Sequence, residues 1–158
     1  MRIGIDPGCS GAIVTLTDDL RYAAHIPMPV VKVGTKSRVN GAAVRAFILG
    51  NLMGGRAHAY IEQVGAMPEQ GVSSMFTFGH AAGVVEGVIQ GLGIPYTLVT
   101  PQAWKKQAGL IGQDKDAARS RAIQLYPELR ALDAKGKGQA LADAILIAHY
   151  KAPRDNLL

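Results

Sequence analysis

The first segment of the chain constrains the fold more than any other. Residues 2–6 have the sequence Arg-Ile-Gly-Ile-Asp, an apolar run typical of a buried strand. The next residues, Asp-Pro-Gly-Cys-Ser-Gly, indicate a tight turn at residues 6–11. Residues 12–17 are then predicted to be the hairpin partner of that strand. The chain therefore opens with paired strands, and the first of them ends in a carboxylate, Asp6.

The remaining pattern alternates between strands and helices. Further strands are predicted over 22–28, 57–64 and 95–99, and a flexible basic loop over 30–40. Helices are predicted over 41–52 with Asn40 as N-cap, over 73–92, from Pro101 onward, from an Asp114 cap to Tyr126, and from 137 or 138 to 150. Strands followed by alternating helices and strands predict a single α/β domain over 1–158, in which helices flank a mixed central sheet.

The composition indicates that the chain is folded and what kind of partner and cellular compartment it has. Of the 158 residues, 48% are hydrophobic and 18% are charged, which favours a folded chain, and the net charge of +5 mildly favours a polyanionic partner. Cys9 is the single cysteine, which excludes an intrachain disulfide and a cysteine-based zinc site. Neither a signal peptide nor a membrane-spanning segment is expected, so the sequence predicts a cytoplasmic protein.

The long helix over 73–92 carries glycine at every fourth position. Each glycine costs about 1 kcal/mol of helix propensity relative to alanine, so a close backbone contact is expected to offset it. Two interpretations remain open: dense packing on the protein's own sheet, or a contact between two copies of the chain. The glycines are Gly79, Gly83, Gly87 and Gly91.

Three acidic residues lie in apolar contexts where a solvated charge is not expected. Asp6 and Glu62 each end a predicted strand, and Asp143 lies inside the helical segment Ala-Leu-Ala-Asp-Ala-Ile-Leu. A lone buried carboxylate is costly, so such groups pair with cations or bind metals. Strand ends at one rim of an α/β sheet are common places for sites. A salt-bridging or capping role remains the alternative for each acid.

An oxygen-only ligand set of this kind suits Mg²⁺ or Mn²⁺. Two such ions about 4 Å apart support phosphodiester hydrolysis. Convergence of Asp6, Glu62 and Asp143 would therefore predict a metal-dependent nuclease.

These residues also carry a resemblance to a known family. Ile-Gly-Ile-Asp-Pro-Gly-Cys-Ser-Gly-Ala resembles the opening of RuvC-type Holliday junction resolvases, which belong to the RNase H-like superfamily. Ile61-Glu62-Gln63-Val64 resembles the second acidic motif of that family, and Ala-Asp143-Ala-Ile-Leu-Ile-Ala resembles the C-terminal one. The resemblance covers nearly the whole chain, with the motifs in the family's order.

The resemblance implies a fold and an activity. It implies an RNase H-like domain in which Asp6, Glu62 and Asp143 are catalytic metal ligands for Mg²⁺ or Mn²⁺, with two ions in the site. The implied activity is cutting of branched DNA such as four-way junctions by paired nicks, in DNA recombination and repair. A homodimer is implied as well, in the cytoplasm of a bacterial or phage-infected cell. The nicked products would carry 5′-phosphate and 3′-hydroxyl ends.

The sequence departs from the family pattern at two places. The family usually holds a fourth acid or a histidine one helical turn before the last acid, and this chain has Ala140 there. Gln139 could supply a neutral oxygen instead, and Asp133 could do so if the preceding loop folds back. After Val64, where some relatives carry an aromatic residue that inserts at the junction, this chain has Gly65, with Met67 two residues later. Met67 could act as the junction wedge, and a simple loop methionine is the alternative.

Basic residues supply the candidate DNA contacts. By the same resemblance, Lys115 lies where relatives carry basic residues near the DNA, and it is the candidate catalytic lysine that contacts the scissile phosphate and stabilises developing charge. An ordinary solvated lysine is the alternative for this residue and for Lys105 and Lys106. Lys105 and Lys106 are expected to bind flanking phosphates, a contribution that weakens with salt. The neighbouring Trp104 is expected to be a core residue. The segment 30–40 is a candidate mobile clamp for DNA through Lys32, Lys36 and Arg38.

Two other functions fit parts of the pattern. A non-catalytic junction-binding protein is the alternative that Ala140 suggests, because that side chain cannot bind a metal. An actin-like nucleotide-binding kinase is the alternative that the Asp-Pro-Gly turn suggests. That fold needs a second domain and glycine-rich adenosine motifs, neither of which the sequence contains.

Overall fold

The computed structural model describes residues 1–52, 54–65 and 71–151, and it contains a five-stranded central sheet. Its strands are β1 (Arg2–Asp6), β2 (Ala12–Leu16), β3 (Tyr22–Pro27), β6 (His58–Glu62) and β7 (Tyr96–Val99). The order across the sheet is β3-β2-β1-β6-β7, in which β1, β2 and β3 are antiparallel neighbours. β6 and β7 run parallel to β1, so the predicted mixed sheet is confirmed.

Helices cover both faces of this sheet. α1 (Gly41–Asn51) and α2 (Val72–Gly91) pack on one face through Val44, Ile48, Val85 and Ile89. α4 (Ala117–Leu125) and α5 (Lys135–Ala148) pack on the other, together with a short 3₁₀ helix (Arg130–Asp133). α3 (Pro101–Gln107) joins that second layer through the buried Trp104.

The alternation of side chains along β1 explains how both layers attach to one strand. Ile3 and Ile5 are fully buried in the core beneath α1 and α2. Gly4 faces α5, where a Cβ atom would lie 2.0 Å from the backbone oxygen of Ala144 and 2.7 Å from Cβ of Ala148. Only glycine allows this approach, so Gly4 sets the depth at which α5 lies on the sheet.

Two of the predicted helix starts have different outcomes. Asn40 caps α1 as predicted, because its side-chain oxygen accepts a hydrogen bond from the backbone N–H of Ala43 at 3.2 Å. Asp114 does not cap α4, which begins at Ala117. Its carboxylate instead accepts from the backbone N–H of Asp116 at 3.0 Å, which forms a local turn before the helix.

The prediction of a loop over residues 30–40 is wrong. The segment forms an antiparallel hairpin of β4 (Val30–Val33) and β5 (Lys36–Val39) with a two-residue turn. Gly34, at the first position of that turn, has φ +61°, which matches the turn geometry that suits a hairpin. The β-branched valines favour extended backbone even though Val30, Val31 and Val33 are exposed. This preference for strand structure is stronger than the preference for a loop that the polar composition indicates.

The glycine face of α2 does not pack on the sheet of its own chain. A Cβ atom added at Gly79, Gly83, Gly87 or Gly91 would meet no atom within 4 Å among the described residues. The interpretation of dense intrachain packing is therefore wrong. Within the same residues, α2 is the one helix long and apolar enough to cross a membrane by length and composition, although its opposite face is packed in the core through Ala81, Val85 and Ile89.

Candidate active site

Two of the candidate acids end neighbouring parallel strands. Ile5 of β1 pairs in register with Ile61 of β6, so the residues that follow them, Asp6 and Glu62, lie side by side at the carboxyl edge of the sheet. Both residues come directly after fully buried isoleucines and are themselves partly buried. The strand register thus brings together two carboxylates that are 56 positions apart in the sequence.

The third acid reaches the same edge from α5. Asp143 precedes Ala144, whose backbone lies against Gly4 at the centre of β1. The charges of Asp6 and Glu62 both act on the Asp143 carboxyl, which places the three side chains in one electrostatic cluster. The packing of α5 on a glycine therefore decides the position of this residue.

Burial and mutual repulsion shift the acidity of this cluster. Burial, followed by the charges of Asp6 and Glu62, raises the pKa of Asp143 to about 7, against the opposing effects of Gln139 and Lys105. Burial and the charge of Glu62 raise the pKa of Asp6 to about 6, although the backbone N–H of Gly8 lowers it. Carboxylates with raised pKa values in one cluster are a common property of functional sites.

Each carboxylate is oriented by one hydrogen bond to one of its oxygens. Asp6 Oδ1 accepts from the backbone N–H of Gly8 at 3.3 Å. Glu62 Oε1 accepts from Nε1 of Trp104 at 2.9 Å, and Asp143 Oδ1 accepts from Nε2 of Gln139 at 3.0 Å. The described part of the chain offers no hydrogen bond to the second oxygen of any of the three, so these oxygens are free to bind a ligand.

The donor set fits a hard divalent cation by its chemistry. It consists of carboxylate oxygens that repel one another, and a cation between them would relieve that repulsion. Over residues 1–52, 54–65 and 71–151, however, no three His, Cys, Asp or Glu side chains converge closely enough to form a finished metal site. The side chains would have to draw together around an ion.

Two of the predicted basic residues share a cavity with Asp143. This cavity of about 310 Å³ is lined by Lys105, Lys115, Gln139 and Asp143, together with Gln113 and Asp114. Lys105 Nζ also lies 5.3 Å from the centre of the Trp104 ring. Lys106 is exposed and does not line the cavity. This cavity therefore holds two lysines together with Asp143, whereas Asp6 and Glu62 are not among its lining residues.

The other predicted basic residues lie on the β4–β5 hairpin. Lys36 lines a second cavity of about 420 Å³ with Cys9, Ser73, Ser74, Thr77 and Phe78. Cys9 follows Asp6 by three residues, and its Sγ contacts the backbone oxygen of Ser37 at 3.7 Å. Lys32 is exposed and donates to Ser37 Oγ at 3.0 Å, and the Arg38 guanidinium lies 5.7 Å from the centre of the Phe76 ring. The hairpin therefore borders the Asp6 side of the site.

The structure also adds a role that the sequence interpretation missed. Trp104 is buried with 2% exposure, as predicted, but its indole N–H is the donor that orients Glu62. A buried indole N–H needs an acceptor, and this requirement is the signal that could have linked Trp104 to an acid.

The next residues are those named where the sequence departs from the family pattern. Ala140 packs against the core cluster around Leu132 and Leu141 and does not line the cavity. Asp133 is exposed and pairs with Arg130 at 3.6 Å, so it does not fold back towards the acids. Met67, considered as a junction wedge, lies outside the described residues.

The strand order and the helices on both faces of the sheet are those of the RuvC-type, RNase H-like fold. Two solved structures show the same architecture. T. thermophilus RuvC in complex with Holliday junction substrate matches with a TM-score of 0.59 and 19% identity, over 93% of this chain and 90% of that one. A second structure of Thermus thermophilus RuvC matches with a TM-score of 0.50 and 17% identity, over 91% and 90% of the two chains.

No protein-family model matches the sequence. No curated protein matches it either. The resemblance is therefore one of fold, and the arrangement of side chains carries the functional argument.

Proposed function

We propose that this protein is a metal-dependent, structure-selective endodeoxyribonuclease that resolves four-way DNA junctions by paired nicks. One observation carries the proposal: two acids end adjacent parallel strands in register, and a third acid lies on α5, which packs closely on the first of those strands. The solved structure with the same fold, T. thermophilus RuvC, is described in complex with Holliday junction substrate, which supports the choice of branched DNA.

Asp6, Glu62 and Asp143 would hold the divalent ions, Mg²⁺ or Mn²⁺, and we infer two per site. When bound, such ions supply Lewis-acid polarisation of the scissile phosphate and lower the pKa of the attacking water. The hydrogen bonds from Gly8 and Trp104 hold one oxygen of Asp6 and of Glu62, which limits the rotation of both carboxylates. Such supporting contacts orient ligands and set their strength.

The lysines would act on the DNA directly. Lys115 and Lys105 line the cavity beside Asp143, so their ammonium groups can contact a phosphate whose ester bond is being cut. A positive charge at that point stabilises the negative charge that develops on phosphate oxygens in the transition state. Lys106 and the basic residues of the β4–β5 hairpin, Lys32, Lys36 and Arg38, would bind flanking phosphates.

Paired nicking needs two active sites, and the exposed glycine face of α2 supports a homodimer. This face begins with Val72 and Phe76, which are 87% and 65% exposed, and continues along the four glycines. Nothing within the described part of the chain offsets the cost of those glycines to the helix. A two-fold contact between the α2 helices of two copies would offset it by close backbone packing, and it would give the symmetry of a four-way junction.

Labelled DNA tests the activity. Four-way, three-way and linear DNA would be incubated with the protein in Mg²⁺, in Mn²⁺ and in chelator, and the nicks mapped on each strand. We expect symmetric nicks in the four-way junction with ends that a ligase can reseal. Asp6→Asn, Glu62→Gln and Asp143→Asn should each abolish cutting and preserve junction binding.

Asp133→Asn is the matched control, because that exposed acid lies just before the same helix and pairs only with Arg130 in the described chain. It should cut at the wild-type rate. Junction binding without cutting in any divalent ion would favour the non-catalytic alternative that Ala140 suggests. Cutting by the three acid variants would contradict the mechanism.

A further inference from the structure

In the side-chain amide of Gln139, the nitrogen has a hydrogen-bond partner and the oxygen has none among the described residues. Its Nε2 donates to Asp143 Oδ1 at 3.0 Å. Its Oε1 is buried and accepts no hydrogen bond from the described residues, and it is the one buried side-chain oxygen there in that condition. A buried carbonyl oxygen without a partner costs free energy, so its retention calls for a function.

The Gln139 side chain lies beside Asp143, one acid of the candidate active site. Gln139 and Asp143 are four residues apart on α5, so they share one face of the helix. Both line the cavity that Lys105 and Lys115 border. Ala140, at the position where the resemblance would place a fourth acid, packs into the core instead. The side chain that α5 presents one turn before Asp143 is therefore an amide.

We propose that Gln139 Oε1 is the fourth oxygen ligand of the metal site, in place of a carboxylate at position 140. The proposal rests on the proposed function, since it requires the divalent ion that Asp6, Glu62 and Asp143 would hold. The Nε2 group of the same amide orients Asp143. One side chain thus supplies both a neutral ligand and the hydrogen bond that fixes a charged one.

A neutral donor also suits the charge of this cluster. The three carboxylates already repel one another, and an amide adds an oxygen without adding a fourth negative charge. The expected consequence is a site that binds Mn²⁺ and Mg²⁺ more weakly than one with four carboxylates, because affinity depends on the charge of the ligand set.

The test measures metal binding without DNA and without turnover. Purified full-length protein would be titrated with Mn²⁺, and free ion followed by electron paramagnetic resonance, with Mg²⁺ as competitor. The variants are Gln139→Leu, Gln139→Glu and Asp143→Asn. Gln113→Glu is the matched control, because Gln113 lines the same cavity and gains the same charge, whereas the hydrogen bond to Asp143 among the described residues comes from Gln139.

We expect Gln139→Leu to weaken Mn²⁺ binding at least tenfold, on the scale seen when groups around metal sites are removed. Gln139→Glu should bind Mn²⁺ as tightly as the wild type or more tightly, because it keeps a ligand oxygen and adds a charge. Gln113→Glu should change affinity much less than Gln139→Glu does. Thermal melting of each variant checks that the fold is retained.

Three results would overturn the assignment while leaving the metal site intact. Unchanged binding in Gln139→Leu would show that the oxygen is not a ligand. Equal weakening of Mn²⁺ binding in Gln139→Leu and Gln139→Glu would show that only the N–H donor of the amide matters. Equal tightening of Mn²⁺ binding in Gln113→Glu and Gln139→Glu would show that only the added charge matters. Wild-type protein that binds no more Mn²⁺ than Asp143→Asn would instead overturn the metal site, and the proposed function with it.

Discussion

Replacing Asp143 with asparagine removes a charge that the folded chain holds close to two other carboxylates. The pKa of this group rises from 3.8 to about 7 on folding, mainly through burial and then through the charges of Asp6 and Glu62. The asparagine oxygen keeps the shape and can still accept the hydrogen bond from Gln139. The substitution therefore isolates the free-energy cost of holding this negative charge in the folded protein.

A shift of this size corresponds to about 4 kcal/mol at most, at roughly 1.4 kcal/mol for each pKa unit. Part of this cost is shared with the coupled Asp6 carboxyl, so we expect Asp143→Asn to stabilise the apo fold by roughly 2 to 3 kcal/mol at pH 8. The folded carboxyl binds its proton more tightly than the unfolded one. Wild-type stability therefore falls as pH rises from about 4 through about 7, and the advantage of the variant shrinks towards pH 4.

Urea unfolding followed by circular dichroism, in chelator at pH 4, 6 and 8, measures this difference. Asp133→Asn is the control, and its free energy of unfolding should stay within about 0.5 kcal/mol of wild type at each pH, because that acid is exposed. A variant less stable than wild type at pH 8, or a difference that does not change with pH, would refute the electrostatic cluster.

Three further predictions follow from the same geometry. Mg²⁺ at 100 times its dissociation constant should raise the free energy of unfolding of the wild type by about 2.7 kcal/mol in urea titrations, and it should not change that of Asp143→Asn. Equal stabilisation of both proteins would contradict a metal site that includes Asp143. Trp104→Phe should slow junction cutting about tenfold with unchanged junction affinity, since Glu62 loses its orienting donor; a wild-type rate would count against that role. Gly83→Arg should give a folded monomer by light scattering, whereas the control Gly50→Arg on the open surface of α1 should stay dimeric; a dimeric Gly83→Arg would exclude the α2 interface.

Much of the fold could be predicted because its signals are local. The buried run of β1 and the alternation of strands and helices were sufficient for a mixed α/β sheet. The hairpin at 30–40 does not follow from the sequence pattern because Val30, Val31 and Val33 are exposed and only Val39 is buried, so no alternation of buried and exposed residues marks the two strands. The start of α4 was misplaced because Asp114 stabilises a turn as readily as a helix end.

The sequence by itself determined which residues could carry chemistry, namely the acids in apolar segments and the lysines that are candidates for DNA contacts. It also determined an order of motifs that resembles RuvC-type resolvases. Only the tertiary structure decided which of them meet. Strand register placed Glu62 beside Asp6, and the contact of Gly4 with α5 set the position of Asp143. The fold also left Gln139, rather than Ala140, in the cavity beside Asp143. The physical reason is that backbone pairing and close packing are long-range interactions, which bring together residues that no local pattern relates.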